Sequence, residues 1–394
     1  MNSMPLNFDD TAIAFAPKSD AELRKAQWLF RAIGQPALTK VGISLTQWAL
    51  NWHLPVKGII KQTIFKQFCG GETLEEADLA AQHLNQYQVQ AIMDYGVEGK
   101  SDEAEFEKTT QTFIKTLEFS ANKPYIPFVS LKVTGFARFD LLEKIQSKQT
   151  LNANEAAEFE RVKDRVDRIC ALASRLNKMI LIDAEESWIQ DPVDAITDAM
   201  MARYNQGKTT VFNTFQLYRH DRLAFMKQSH EKALAQGYIL GAKLVRGAYM
   251  EKERARAAAM GYASPIQPNK EATDRDYDAA VQYGLSHLNS ISLFVGTHNE
   301  NSNRLAAEYI LQQNLTPSQV PVYFSQLFGM SDNLSFNLGK AGFHVSKYLP
   351  YGPVADVVPY LMRRAQENTS VAGQTGRELS LINNELQRRA STRK

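Results

Sequence analysis

The chain has 394 residues, 44% hydrophobic and 22% charged, and its 45 Lys and Arg against 43 Asp and Glu leave a formal charge of +2. That length exceeds one typical domain, and the charge balance excludes a global attraction to nucleic acid. Two cysteines, Cys69 and Cys170, supply neither a disulfide framework nor a thiolate metal cluster, and no apolar run approaches the roughly 18 residues that span a bilayer. The acidic N-terminal stretch with Asp9, Asp10, Asp20 and Glu22 matches neither a secretory signal nor an Arg-rich transit peptide, so the expected setting is the reducing cytoplasm.

Residues 1–89 read as a helical arm. Helical patterns run over Ala21–Ile33, over Ser44–Trp52 up to Pro55, and over Ile59–Phe68, which Gly70-Gly71 stops. Thr73 with Glu76 three residues on predicts a capping box at the start of a further helix. Trp28, Trp48 and Trp52 fall in this arm and are read as packing aromatics.

From residue 90 the texture changes. Short apolar runs alternate with longer amphipathic stretches. The runs are Ala91–Val97, Tyr125–Val133, Met179–Ala184, Thr210–Phe215, Ala242–Ala248, Ile291–Thr297, Pro321–Gln326 and His344–Leu349. Helical patterns between and after them include Glu103–Phe119, Glu155–Leu176, Arg222–Gln236, Tyr277–Leu288, Asn303–Gln313 and Ala355–Asn368. Eight strands in such alternation predict an α/β fold: a (βα)8 TIM-type barrel over 90–375, with the N-terminal helical arm and a basic C-terminal helix over 376–394. An open doubly wound sheet is the alternative topology. The C-terminal stretch sets Leu379, Leu381, Ile382 and Leu386 at helical spacing among Arg377, Arg388, Arg389, Arg393 and Lys394. It reads either as a membrane-surface helix or as one packed on the barrel.

A TIM-type barrel carries its chemistry at the C-terminal ends of the strands. Polar groups gather there: Glu98, Lys132, Asp183 with Glu185 and Glu186, Asn213 with Gln216, Lys243 with Arg246 and Tyr249, Thr297-His298-Asn299, Gln326 and Tyr348. On the last helix Tyr360, Arg363, Arg364 and Glu367 share one face, and paired guanidinium groups there suit a small carboxylate or phosphate. The histidines lack metal-ligand spacing, so no metal is expected, and no Gly-x-Gly-x-x-Gly, Walker or Gly-x-Ser-x-Gly pattern is present. Lys132 or Lys243 on a strand end also suits Schiff-base, aldolase-like chemistry. A non-catalytic scaffold is the third class.

The segments Lys243-Leu-Val-Arg-Gly-Ala-Tyr249, Lys347-Tyr-Leu-Pro-Tyr-Gly-Pro353 and Tyr360-Leu-Met-Arg-Arg-Ala-Gln-Glu-Asn368 closely resemble the flavin-dependent proline dehydrogenases. Ser130-Leu-Lys-Val-Thr134, Leu181-Ile-Asp-Ala-Glu-Glu186, Val211-Phe-Asn-Thr-Phe-Gln216, Thr297-His-Asn-Glu300 and Ser325-Gln-Leu-Phe-Gly-Met-Ser-Asp332 follow in the same order, over about residues 90–375. The resemblance implies a monofunctional barrel enzyme holding non-covalent FAD. Such an enzyme oxidises L-proline to Δ1-pyrroline-5-carboxylate and passes the electrons to a membrane quinone. It also implies functional coupling to a pyrroline-5-carboxylate dehydrogenase; with no transit peptide visible, the expected place is peripheral at a bacterial inner membrane rather than on the mitochondrial matrix side.

By the same resemblance Arg363, Arg364 and Lys132 grip the proline carboxylate, and Asp183 pairs with that basic cluster. Glu98 forms a gate-like ion pair, and Tyr249, Leu327 and Tyr348 pack around the ring. Lys243 stands beside flavin N5. Asn213 and Gln216 lie near the isoalloxazine, with Gln326 a further cofactor contact. Val245, Gly247 and Ala248 give backbone contacts, Gly247 because a side chain there blocks close approach. Thr297, His298 and Asn299 belong to the cofactor strand, and Glu367 to the ribityl chain. The bulky Tyr348 implies preference for proline over 4-hydroxyproline.

Overall fold

A computed structural model describes residues 6–35, 57–96, 102–370 and 374–392. Eight strands, β1 (Gln90–Tyr95), β2 (Phe128–Leu131), β3 (Met179–Ile182), β4 (Val211–Gln216), β5 (Leu240–Val245), β6 (Ile291–Gly296), β7 (Val322–Leu327) and β8 (His344–Tyr351), form a closed barrel in sequence order. The registers over β1 to β7 are parallel, for example Ser130 beside Leu181 and Asn213 beside Ala242. All eight expected runs are strands, and the closed parallel barrel excludes the open sheet. Parallel strands are covered on both faces, which explains why they read as near-continuous apolar runs.

The chain divides into two compact units, Ile92–Ser325 and Met1–Ala91 with Gln326–Lys394. In the larger, residues two apart on a strand share a face. Phe128, Phe212 and Phe294, one from each of β2, β4 and β6, meet edge to face with centroids 5.3–6.2 Å apart, and Tyr323 joins Phe128 at 5.2 Å. This aromatic layer fills the barrel below the strand ends and fixes which alternate residues point inward. On the opposite face of β4, Phe215 lies 5.9 Å from Phe225 of the helix Arg222–Gln236.

In the smaller unit one core joins the two ends of the chain. Phe15, Leu23 and Phe30 from the first helices pack with Phe65 and Phe68, with Val357 and Leu361 of the helix Val354–Ser370, and with Leu381 and Ile382 of the helix Gln374–Thr392. The apolar face of the C-terminal helix is therefore packed inside the smaller unit, against the N-terminal helices. Its covering is the N-terminal helix Asp20–Ile33, a partner that periodicity does not identify. No helix among the described residues is long and apolar enough to cross a membrane.

The capping box expected at Thr73 and Glu76 is only half realised, and a full one forms elsewhere. Ser19 and Glu22 close a full capping box on Asp20–Ile33. Thr73 accepts from the Glu76 N–H at 3.3 Å, but the Glu76 carboxylate reaches the N–H of Glu72 at 2.7 Å instead of that of Thr73. The run Ile59–Phe68 contains a π-helical turn, Lys61–Phe65, that periodicity does not reveal. Ser44–Trp52, and with it Trp48 and Trp52, lies outside the described residues.

Candidate active site

In the larger unit the inward faces of β2, β3 and β5 converge above the aromatic layer. Asp183, the residue after β3, is the hub. Its Oδ1 accepts from Lys243 Nζ at 2.5 Å and from Ser130 Oγ at 3.0 Å, and its Oδ2 lies 3.8 Å from Lys132 Nζ. All three ionic side chains are shielded, with 16% of Lys132, 14% of Asp183 and 7% of Lys243 exposed. Among the described residues two ammonium groups share this one carboxylate, a surplus of positive charge on shielded side chains. Such a surplus attracts a small anion far more strongly than an exposed lysine does.

Glu185, two residues further on in the loop after β3, is buried and held by several hydrogen bonds. Its carboxylate accepts from Thr134 Oγ1 at 2.5 Å and from the Thr134 N–H at 3.2 Å. Its own N–H donates to Gln190 Oε1 at 2.8 Å, and its carbonyl accepts from Gln216 Nε2 at 2.7 Å. Burial is the largest influence and pushes the carboxyl up to about 7, against the pull of Thr134 and of the Lys132 ammonium. Gln216 is thus inward, as expected for a strand-four amide. Sequence reasoning placed Glu185 at a strand end without a role and passed over Ser130 and Thr134, although both lie in the Ser130–Thr134 motif.

Asn213 and Gln326 depart from expectation. Asn213 faces the helix layer, where its amide donates to Asp194 Oδ1 at 2.9 Å. Asp194 also takes a two-pronged contact from Arg222 at 2.9 and 3.0 Å, so Asn213 completes a buried brace between β4 and two helices. Gln326 is likewise on the helix side of β7, accepting from Ser335 Oγ at 2.7 Å. The physical reason is strand parity: neighbours on one strand point to opposite faces, and Gln216 and Leu327 occupy the other ones.

Thr297 is also outward. Its hydroxyl accepts from Arg246 Nη1 at 2.7 Å and from the Asn299 N–H at 3.1 Å. Arg246 further bonds Asp274 at 2.7 Å and Ser302 at 3.1 Å and lies 4.3 Å from the Tyr277 ring centroid. It thereby orders the start of the helix Glu300–Gln312, whose N-cap is Asn299. His298, between them, is half-buried, and so are Val245 and Tyr249, while Gly247 and Ala248 are exposed. Gly247 has φ +132°, and an added Cβ would stand 2.5 Å from the Tyr218 ring. The fold itself therefore demands glycine there, which differs from the expected ligand clearance.

In the smaller unit Leu327 is half-buried and Tyr348 is 8% exposed. The Phe328 N–H donates to the Tyr348 carbonyl at 2.9 Å, which couples the two positions. Lys347 projects from the other face of β8: its Nζ lies 2.8 Å from Asp332 Oδ1 and also donates to the carbonyl of Met330. Asp332 takes Lys18 at 2.6 Å as well. Ser331, held in the left-handed region at φ +48°, gives its N–H to Glu378. Arg363 is half-buried on Val354–Ser370. Glu98, and the side chains of Arg364 and Glu367, lie outside the described residues.

The family model described as proline dehydrogenase matches residues 77–377. The mitochondrial proline dehydrogenase 1 of Dictyostelium discoideum is 31% identical over 384 residues, covering 86% of this chain and 67% of its own length. The hydroxyproline dehydrogenase of Xenopus laevis is 31% identical over 426 residues, covering 98% of this chain and 90% of its own. Among solved structures, proline utilization A from Bdellovibrio bacteriovorus, inactivated by N-propargylglycine, matches 92% of this chain with a TM-score of 0.70 at 19% identity. The chain spans 38% of that protein, so this likeness concerns the fold. A family match over most of its length, a barrel of the same architecture and the ordered strand-end motifs place the chain in the proline dehydrogenase family.

Proposed function

We propose that this chain oxidises L-proline to Δ1-pyrroline-5-carboxylate with a non-covalently held FAD. The observation that carries the proposal is the shielded Lys132–Asp183–Lys243 cluster with its surplus positive charge. Family membership implies a flavin, and the donor set of the larger unit suits one. Exposed main chain at Gly247 and Ala248, the inward Lys243 ammonium, and the Asn299-capped helix start ordered by Arg246 meet the needs of a flat ring carrying a diphosphate. Bound flavin supplies the two-electron acceptor.

The protein's share is binding and electrostatics. Lys132 holds the substrate carboxylate, which fixes the ring, and Asp183 keeps both lysines oriented. The substrate nitrogen reacts as the neutral amine, since its lone pair becomes the second C–N bond as hydride leaves C5. Arg363, Arg364, Glu98 and Glu367 keep the roles that the resemblance implies, and so do Val245, His298 and Tyr249. The electrons pass to a membrane quinone from a cytoplasmic, peripheral position at the membrane, and the product passes to a pyrroline-5-carboxylate dehydrogenase.

Anaerobic addition of proline to the yellow purified protein is expected to bleach the flavin absorbance. A colourless protein that borohydride traps on Lys132 or Lys243 would establish the aldolase-like alternative. Overall identity does not choose between proline and hydroxyproline, because the relatives include dehydrogenases of both names at the same 31% identity. We assign that choice to the buried Tyr348, whose bulky phenol crowds a 4-hydroxyl as the resemblance implies. Tyr348→Ser is expected to raise the hydroxyproline-to-proline ratio of kcat/KM roughly ten-fold. An unchanged ratio would remove Tyr348 from substrate choice.

A further inference from the structure

Glu185 has no part in the roles assigned so far, yet it is among the most tightly held acids of the larger unit. It is 4% exposed, and its carboxylate clasps both the N–H and the hydroxyl of Thr134. Thr134 lies in the turn Val133–Gly135, which begins at Lys132. The clasp therefore fixes the backbone from which the Lys132 ammonium extends. From the start of the helix Gln190–Tyr204 and from the end of β4, Gln190 and Gln216 pin the Glu185 main chain.

Lys132 acts to keep Glu185 ionised and Glu186 acts against it, while Glu186 is itself paired with Lys252. Asp183, two residues earlier, is occupied by Lys243, Ser130 and Lys132. Among the described residues Glu185 is thus a further carboxylate bearing on Lys132. When it is neutral, the anion-binding surplus of the cluster stands in full. When it is ionised, part of that surplus is cancelled.

We propose that Glu185 is a positioning residue that seats Lys132 through Thr134 and couples capture of the substrate carboxylate to uptake of one proton by the Glu185 side chain. This deepens the reading of the site given above and rests on it. The coupling is reciprocal: a bound carboxylate makes ionisation of Glu185 harder, so affinity rises as pH falls through the titration of this group. The burial-raised carboxyl near 7 places that titration in the neutral range.

The test uses the flavin-loaded protein and tetrahydrofuran-2-carboxylate, which has the ring and the carboxylate but no titrating amine. Binding is read from the flavin spectrum between about pH 6 and pH 8. The wild type is expected to lose roughly three- to ten-fold in affinity across that range. Glu185→Gln should bind tightly and without pH dependence. Glu185→Asp should restore a pH dependence. Thr134→Val, which keeps the volume and loses one donor to the carboxylate, should move the midpoint to higher pH.

A second readout needs neither substrate nor turnover. A protonated-carboxyl infrared band should titrate near neutral pH in the wild type and be absent from Glu185→Gln. A wild type whose affinity does not change with pH, or a Glu185→Gln protein that keeps the wild-type pH dependence, overturns the proposal. Failure of proline to bleach the wild-type flavin would overturn the functional reading, while the infrared titration still reports on Glu185.

Discussion

Asp332→Ala is expected to lower stability by about 3–5 kcal/mol, the usual cost of stripping the partner from a buried charge. Asp332 is 4% exposed and sits between Lys347, itself 1% exposed, and Lys18. Removing it strips the carboxylate in direct contact with both ammonium groups and leaves them to the buried Glu378, which acts on both through charge alone, beside the core that joins both chain ends. Burial opposes ionisation of Asp332, yet the two lysines outweigh it and hold the carboxyl down at about 2. The sign follows. Its folded value is depressed, so its contribution is complete above the unfolded carboxylate range near about 3.9 and is lost as pH falls toward 2. Urea unfolding of wild type and Asp332→Ala at neutral pH checks the magnitude, and a loss below about 1 kcal/mol would refute the assignment. Asp332→Asn should cost less, since its amide oxygen still accepts from one lysine.

Asp183→Ala is expected to lower kcat/KM for proline roughly 100-fold or more. The substitution removes the group that orients both Lys132 and Lys243 and leaves Lys243, 7% exposed, without the carboxylate at 2.5 Å. Free of that partner, Lys132 binds carboxylate no worse, so the loss should fall on kcat rather than on KM. Stopped-flow reduction of the flavin by proline separates the two. An equal rise in KM with kcat unchanged would mean that Asp183 serves binding alone.

The barrel was legible in the sequence because each buried parallel strand is a continuous apolar run bounded by helical periodicity. The same continuity hides which way a residue points. With no polar-apolar alternation along β4, nothing in Val211–Gln216 distinguishes inward Gln216 from outward Asn213, and Gln326 on β7 suffers likewise. Lys132, Asp183 and Lys243 could be found because they stand at strand ends where charge has no structural purpose. Glu185 was visible there too, but its significance comes from burial and from Thr134, which is distant in sequence. Arg246 acts on Thr297 across 51 positions, and the helix Asp20–Ile33 meets its C-terminal partner across some 350; spacing rules do not reach so far.

That shared core at the two ends of the chain dictates an order of events during synthesis. Phe15, Leu23 and Phe30 are translated early, while Val357, Leu361, Leu381 and Ile382, which bury them, come last. At about 5–20 residues per second, the early apolar side chains wait roughly 20–70 s for their partners. Over that interval the intervening unit, Ile92–Ser325, emerges, while β8, which closes the barrel, comes only afterwards. The nascent N-terminal segment is therefore the exposed sticky end of this protein, and the stretch on which a holdase chaperone has most to gain.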